Sequence, residues 1–427
     1  MTSPHHIAQA LDSTAVRKIT DEPGKQTKWF SFYLALTANG FSLIGNSISV
    51  IAIPWFVFDI TGSAFTTAAI VVAGQLPNIM VGIFSGPLID RYSASRISYI
   101  CDAINAIAVI LIPVFYSLQM LDTLLLTALV FFSMLLDVPA QTAKNVIFAR
   151  LISSHKLPRA RANGLVSMTE TLSDLVGPLV AGLMLSVVSA LYLLYIDSAT
   201  FVIAALILIW MSKRQLLKQL RYPQKIQLKP ANTWRWLVAQ KLILKLAIFD
   251  LVINTVAVSM LSLTLPVIAK ATGDQAVWLG VWLTMFAAGT TTTTLIYTVF
   301  GDKLSNLQLL IATPIAQSLA LGCIALAIAN NQGQWLVAVG LFIYGLALGV
   351  GGLIDASMLQ KLVPESRQGT IFALFNSLRY AAVPIGILLS GWCLDQLMYT
   401  GLFVAFATIT LMTAVLWLFG DNSKAKC

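Results

Sequence analysis

Charge is what this chain lacks most. Only 11% of its 427 residues are Asp, Glu, Lys or Arg, against about 25% in an ordinary soluble domain. Acids are scarcest, 18 against 27 Lys and Arg. Histidine occurs three times, at His5, His6 and His155, always outside the apolar segments. Cysteine occurs four times, at Cys101, Cys323, Cys393 and Cys427, with no spacing that suits a metal ligand set or a disulfide framework. No Gly-rich loop is followed by Lys and Ser or Thr, which excludes an ATP-driven pump subunit. No nucleophile and base stand at a catalytic spacing and no histidine lies in an apolar span, which argues against a multipass membrane enzyme. No metal or cofactor is implied.

Apolar residues fill the chain instead, 58% of it. A spanning helix needs about 20 mostly apolar residues. The runs predict spans over 30–58, 64–89, 97–117, 122–148, 163–188, 190–211, 243–269, 276–299, 306–329, 334–358, 367–392 and 398–419. Residues 1–28 are polar and the first apolar run is too long for the core of a signal peptide, so no secretory signal is expected.

The cations are distributed unevenly. Arg17, Lys18, Lys25 and Lys28 precede the first span, and Arg91, Arg96, Arg150, Lys156, Arg159 and Arg161 lie on the same side. The longest link carries Lys213 through Lys245, and Lys303, Lys361, Arg367, Lys424 and Lys426 complete that side. The opposite links hold only Lys270. Positive-inside bias places the rich side, with both termini, in the cytoplasm. The formal charge of +9 is spread over every link on that side rather than gathered in one patch, which argues against nucleic acid.

The basic link over 213–242 separates six spans from six. It divides the chain into a tail (1–28), a first bundle (29–212), the linker, a second bundle (243–420) and a tail (421–427). Asp90-Arg91 after the second span answers Asp302-Lys303 after the eighth, an offset of 212, and Pro178 answers Pro384, an offset of 206. Parallel repeats of this kind are an architecture of secondary transporters that bind substrate between two halves.

Two motifs carry mechanism. Gly86-Pro87-Leu88-Ile89-Asp90-Arg91, with Arg96 following, occupies the predicted loop after the second span. It resembles the loop signature G-x-L-x-D-R of the major facilitator superfamily. Asp90 there can cap a helix N-terminus or pair with a cation, latching a cytoplasmic gate made by Gly86, Asp90, Arg91 and Arg96. Ala94 and Ser95 stand where the family has more basic residues. In the fifth span Gly164, Ser173, Gly177-Pro178 and Ala181-Gly182 resemble the antiporter signature G-x8-G-x3-G-P-x2-G-G, with Ser173 and Ala181 in place of two glycines. Small residues and a proline let such a helix bend and pack closely. The resemblance extends through Pro54, Asp59-Ile60-Thr61-Gly62-Ser63, Ala162-Asn163-Gly164, Asp197, Asn376 and Arg379 to a branch of enterobactin exporters and macrolide efflux pumps. That branch often has an acid after the glycine of the first span, whereas here Asn46 follows Gly45.

The resemblance implies an all-α membrane protein with 12 transmembrane helices in two pseudo-symmetric six-helix bundles, the major facilitator fold. In it the first, fourth, seventh and tenth helices line a central cavity. Each has a polar stripe: Asn39, Ser42, Asn46 and Ser49; Asp137, Gln141 and Lys144; Asp250 and Asn254; Tyr344 and Asp355. Arg379 of the eleventh span needs an acid or water. An acid at bilayer depth costs roughly 2.5–3.5 kcal/mol, so each needs a reason. Glu170 and Asp174 are four apart on one face, and two carboxylates in one low-dielectric site cannot both stay ionised cheaply. Glu170, Asp174 and Asp137 are therefore the proton-coupling candidates. For each polar residue an interhelical bond or an ion pair, such as Asp137 with Lys144, remains open. Thr290 to Thr294 are expected to bond the preceding turn, and Trp29, Trp278, Trp335 and Trp392 to mark interfaces.

The expectation is a monomeric, proton-coupled exporter of a small amphipathic molecule, a siderophore or a drug, in a bacterial inner membrane. Its partners are that substrate, protons and membrane lipids. A lysophospholipid flippase and an uptake symporter stay open as alternatives.

Overall fold

The computed structural model describes residues 23–91, 93–155, 157–214, 216, 240–273, 276–300, 306–330, 333–363 and 368–418. Residues 1–22 of the predicted N-terminal tail, the C-terminal tail, most of the 213–242 linker and the Asp302-Lys303 pair lie outside the described residues, and residues 23–28, expected in the tail, begin the first helix.

Among the described residues twelve helical rods follow one another: α1 (Pro23–Thr61), α2 (Ala64–Arg91), α3 (Ala94–Ser117), α4 (Thr123–Ser154), α5 (Arg159–Leu185) and α6 (Ala190–Lys213), then α7 (Lys241–Ala271), α8 (Ala276–Phe300), α9 (Asn306–Ala329), α10 (Gln334–Leu362), α11 (Gln368–Tyr380 with Val383–Asp395) and α12 (Tyr399–Leu418). Helices dominate because backbone groups in hydrocarbon must be bonded within their own segment. Among the described residues nine helices are long and apolar enough to cross a membrane. The twelfth is a shorter apolar helix, the second is apolar over Ala64–Pro77, and the fifth carries Glu170 and Asp174 within its 27 residues.

Three departures from the expected spans have local causes. The eleventh is broken, into α11a (Gln368–Tyr380) and α11b (Val383–Asp395), where a single rod was expected. Pro384 has no N–H for the carbonyl of Tyr380, and the chain takes a turn through Ala381 and Ala382. The seventh contains a π-helical turn over Met260–Thr264 just ahead of Pro266, where the Thr264 hydroxyl donates to the Ser259 carbonyl at 3.1 Å. The Gly86–Arg91 motif, expected in a loop, forms the last turns of α2, since intrahelical bonding persists to the membrane edge.

The halves repeat each other in their pairings. In the first, α2 packs on α4, α3 on α4 and α3 on α6; in the second, α8 packs on α10, α9 on α10 and α9 on α12. Outside both bundles large apolar side chains face outward: Ile107, Leu206, Leu319 and Leu326 are more than half exposed, as lipid-facing residues are.

The halves touch each other along α5–α8 and α2–α11b, at the end opposite the cation-rich links. Small residues allow this. A Cβ on Gly182 of α5 would meet the backbone of Gly280 and Ala276 within 2.7 Å, and one on Gly391 of α11b would lie 2.9 Å from the Ala64 carbonyl. Such close backbone approach is how helices associate when lipid removes the hydrophobic drive.

Candidate functional site

α1 is the hub of the polar interior. Asn39, Ser42, Asn46 and Ser49 follow at spacings of three, four and three, which keeps them on one face. Three of them meet a charged group from another helix. Ser42 accepts from the Lys144 ammonium of α4 at 2.7 Å. The Asn46 amide donates to Asp137 Oδ1 of α4 at 3.0 Å. The Ser49 hydroxyl donates to Asp197 Oδ2 of α6. Gly45 makes the last approach possible, because a side chain there would occupy the place of the Asp197 carboxylate and the Thr200 hydroxyl.

Lys144 and Asp102 of α3 form a buried ion pair at 2.9 Å, with 3% and 0% of their side chains exposed. Lys144 was expected in the cavity, with an ion pair to Asp137 left open as the alternative. Instead it points between α1 and α3, and Asp102 holds it. An ammonium at that depth is stable only against a carboxylate within contact distance. Among the described residues Asp137 is thereby left without an ion pair, with Asn46 as its hydrogen-bond donor. Pro139 of α4, two residues on, withholds an N–H from the Leu135 carbonyl in the same region. Gln141 is half-buried one turn further.

A pocket opens where these elements meet, lined by Asn46, Ser49, Ser133, Asp137, Asp197 and apolar residues that include Phe201. It has room for about one water molecule, well below the ~300 Å³ at which drug-sized sites begin. In this state it suits a small ion or proton rather than an organic substrate.

The second half holds a looser counterpart. Arg379, in the last turn of α11a, faces Asp250 of α7 at 3.5 Å. The pairing supplies the acid that Arg379 needed. The Asn254 amide donates to the Asp250 carbonyl on its own helix at 2.8 Å. Gly386 of α11b packs against Thr255 and Ser259 of α7, so the break in α11 sits directly on the helix that carries Asp250.

Other expected site residues lie elsewhere. Asn39 and Tyr344, expected to line the cavity, are fully buried and pack inside the bundle in this conformation. The Tyr344 ring rests against Phe286 with centroids 6.2 Å apart. Glu170 is half-buried and Asp174 exposed on α5, and neither lines the pocket. Within α5, Gly177 presses on Ser47 of α1 and Gly182 on α8, while Gly164, expected to belong to the same packing groove, meets nothing within 4 Å. Arg96 is exposed in the first turn of α3. The surroundings of Gly86 and the side chains of Asp90, Arg91 and Asp355 lie outside the described residues. The threonine run behaves as expected: four hydroxyls bond their own helix, and Thr293 reaches the Leu346 carbonyl of α10 at 2.7 Å.

Sequence reasoning named Asp197 only as part of the resemblance, gave it no site role, and missed Asp102 and Asp395. Asp102 and Asp197 are lone acids in apolar runs, and intramembrane acids are a signal in themselves. Asp395 had no such signal. It ends α11b, and its carboxylate accepts from the Ala64 N–H at 2.6 Å, the Phe65 N–H at 3.1 Å and the Ser63 hydroxyl at 3.0 Å. It thus caps α2 from the other half of the molecule. Close by, Lys270 of α7 pairs with Asp59 of α1 at 2.8 Å. Both contacts tie the halves together at the cation-poor end.

Comparison with known proteins agrees with this architecture. The family model described as Major Facilitator Superfamily matches residues 35–386 and 251–426. The chain is 25% identical over 389 residues to the multidrug efflux pump Tap of Mycobacterium tuberculosis, covering 89% of this chain and 90% of that protein. It is 23% identical over 401 residues to macrolide efflux protein A of Streptococcus pyogenes, covering 92% and 96%. The solved structure of the nucleoside transporter NupG superposes with a TM-score of 0.74 at 16% identity, covering 92% of this chain and 98% of that one.

Proposed function

The chain belongs to the major facilitator superfamily of secondary transporters, and we propose that it exports amphipathic drug-like molecules in exchange for protons, by alternating access in a bacterial inner membrane. Efflux pumps similar to it over about nine tenths of its length favour a drug over a siderophore as cargo. The observation that carries the coupling is the carboxylate of Asp137. It lines an interior pocket and has an amide donor in Asn46, and Lys144 of the same helix is engaged by Asp102. An acid held this way can take and release a proton as its surroundings open to one side or the other. Asn46 stands where related exporters often carry an acid, and Asp137, bonded to it, takes over that position's chemistry from the facing helix.

With the cation-rich end in the cytoplasm, the closed contacts through Asp395, Lys270 and Gly182 shut the outer side. The conformation is then the one in which an exporter loads. Outward opening requires α2–α11b and α5–α8 to part, and the Gly86–Arg91 end of α2 to close on the other side.

The test is transport into everted membrane vesicles of ethidium and of a macrolide, driven by an imposed proton gradient. Both should accumulate, and a proton ionophore should abolish the accumulation. Asp137→Asn should bind ethidium yet fail to concentrate it. Accumulation indifferent to the ionophore would remove proton coupling, and movement in the opposite sense would make the protein an uptake symporter. A change confined to lysolipids would favour the flippase.

A further inference from the structure

We propose that Asp197 of α6 is the second member of the coupling site, and that it and Asp137 hold one proton between them across the water-sized pocket they share. The inference rests on the proton-coupled reading above and names the group that completes it.

Asp197 is fully buried. Its Oδ2 accepts from Ser49, while its Oδ1 has no hydrogen-bond partner among the described residues and packs against Gly45. Four elements bear on it. On α4, Asp137 faces the same pocket and acts on Asp197 as a like charge. Lys144 of α4 and Asp102 of α3 are occupied with each other. α1 presents the neutral Asn46, Ser49 and Ile53 to the pocket, and the α5 acids Glu170 and Asp174 do not line it. No cation faces Asp197 among the described residues. A carboxylate with no cation, no water exposure and a second carboxylate opposite is too costly to keep ionised. One proton on the pair, hydrogen-bonded through the intervening space, lowers the net charge from −2 to −1 and supplies the donor that Asp197 Oδ1 lacks.

The asymmetry of the two acids gives each a role. Asp137 is partly exposed and its donor is a neutral amide, so it is the member that exchanges with the aqueous side. Asp197 is sealed and keeps the proton while Asp137 is engaged. When the proton leaves the pair, no bond to substrate forms or breaks. Two carboxylates are left facing one space, and the repulsion ends on re-protonation or when α4 moves against α6. Such a pair titrates as a unit.

The experiment is infrared difference spectroscopy of the full-length protein in bilayers, without any substrate, joined to gradient-driven ethidium transport in proteoliposomes. The wild type should show a protonated-carboxyl band that disappears as the pH is raised. Asp197→Asn should lose the band, Asp137→Asn should move its titration, and Asp197→Glu should restore it, a rescue that a packing role would not give. Ser49→Ala, which keeps both acids, should shift the band's frequency and so serves if Asp197→Asn fails to fold. Ethidium concentration against the gradient should vanish in Asp197→Asn while ethidium exchange at equal pH continues. A band unchanged in Asp197→Asn, or full gradient-driven transport by that variant, overturns the proposal. If the wild type moves no ethidium, the drug-export reading fails for that probe, and the band still decides whether the two acids share a proton.

Discussion

Removing the Asp395 carboxylate should loosen the closed end of the transporter by a calculable amount. The side chain accepts three hydrogen bonds, from the Ala64 and Phe65 N–H groups and the Ser63 hydroxyl, at 2.6, 3.1 and 3.0 Å. All three cross from the second half to the first, so they exist only while that end is shut. Bonds to a charged acceptor contribute about 1.5–3 kcal/mol each when shielded from water. Asp395 is exposed, which reduces the set to about 2 kcal/mol in total, the upper part of the range for helix caps. Its position supports a role in the partner helix. A carboxylate at the end of α11b opposes its own helix dipole, whereas at the start of α2 it is favourable. Two kcal/mol corresponds to about a 30-fold change in the ratio of open to closed states. The assay is electron–electron distance measurement between spin labels at the exposed residues Thr123 and Asn330, on the two halves at this end. Asp395→Ala should raise the long-distance population about 30-fold relative to the short one. Asp395→Asn, which keeps an acceptor and loses the charge, should fall between. Distance distributions unchanged in both variants would refute the idea that this cap distinguishes the two states.

The Lys270–Asp59 bridge is half exposed on its acid side, so Lys270→Gln should shift the same populations by less than about fivefold and lose that effect in high salt. Lys144→Met strips the counter-ion from fully buried Asp102 and should cost about 3–5 kcal/mol, read as a lowered Tm in detergent; Lys144→Met with Asp102→Asn should recover most of it. Gly182→Leu has no room against the Gly280 backbone and should abolish ethidium transport. Gly164→Ala, with nothing within 4 Å, should change stability by no more than about 1 kcal/mol, in the stabilising direction, by the same Tm measurement.

How much of this was legible depended on the kind of interaction. The spans could be read directly, since hydropathy is a property of consecutive residues. The seam of α1 was also readable as a stripe, because helical spacing alone puts Asn39, Ser42, Asn46 and Ser49 on one face. The partners were not readable. Lys144 and Asp137 look like natural mates at seven residues' separation, yet Lys144 bonds Asp102, 42 residues earlier in the chain. Which acid an ammonium reaches is set by the rotation and depth of two helices relative to each other, and no local pattern encodes that. The burial of Asn39 and Tyr344 in this conformation was unreadable for the same reason: a polar position on a cavity helix still has several faces to choose from.

Composition, run length and the placement of cations thus determined that this is a helical membrane protein of twelve spans in two related halves. These are one-dimensional quantities, additive along the chain. Tertiary structure alone decided that Asp395 closes a helix in the opposite half, that Asp137 and Asp197 share a pocket, and that Gly182 rather than Gly164 lets two backbones meet. Those facts depend on distances between residues far apart in sequence, where an ångström of sliding or a few tens of degrees of rotation substitutes one partner for another.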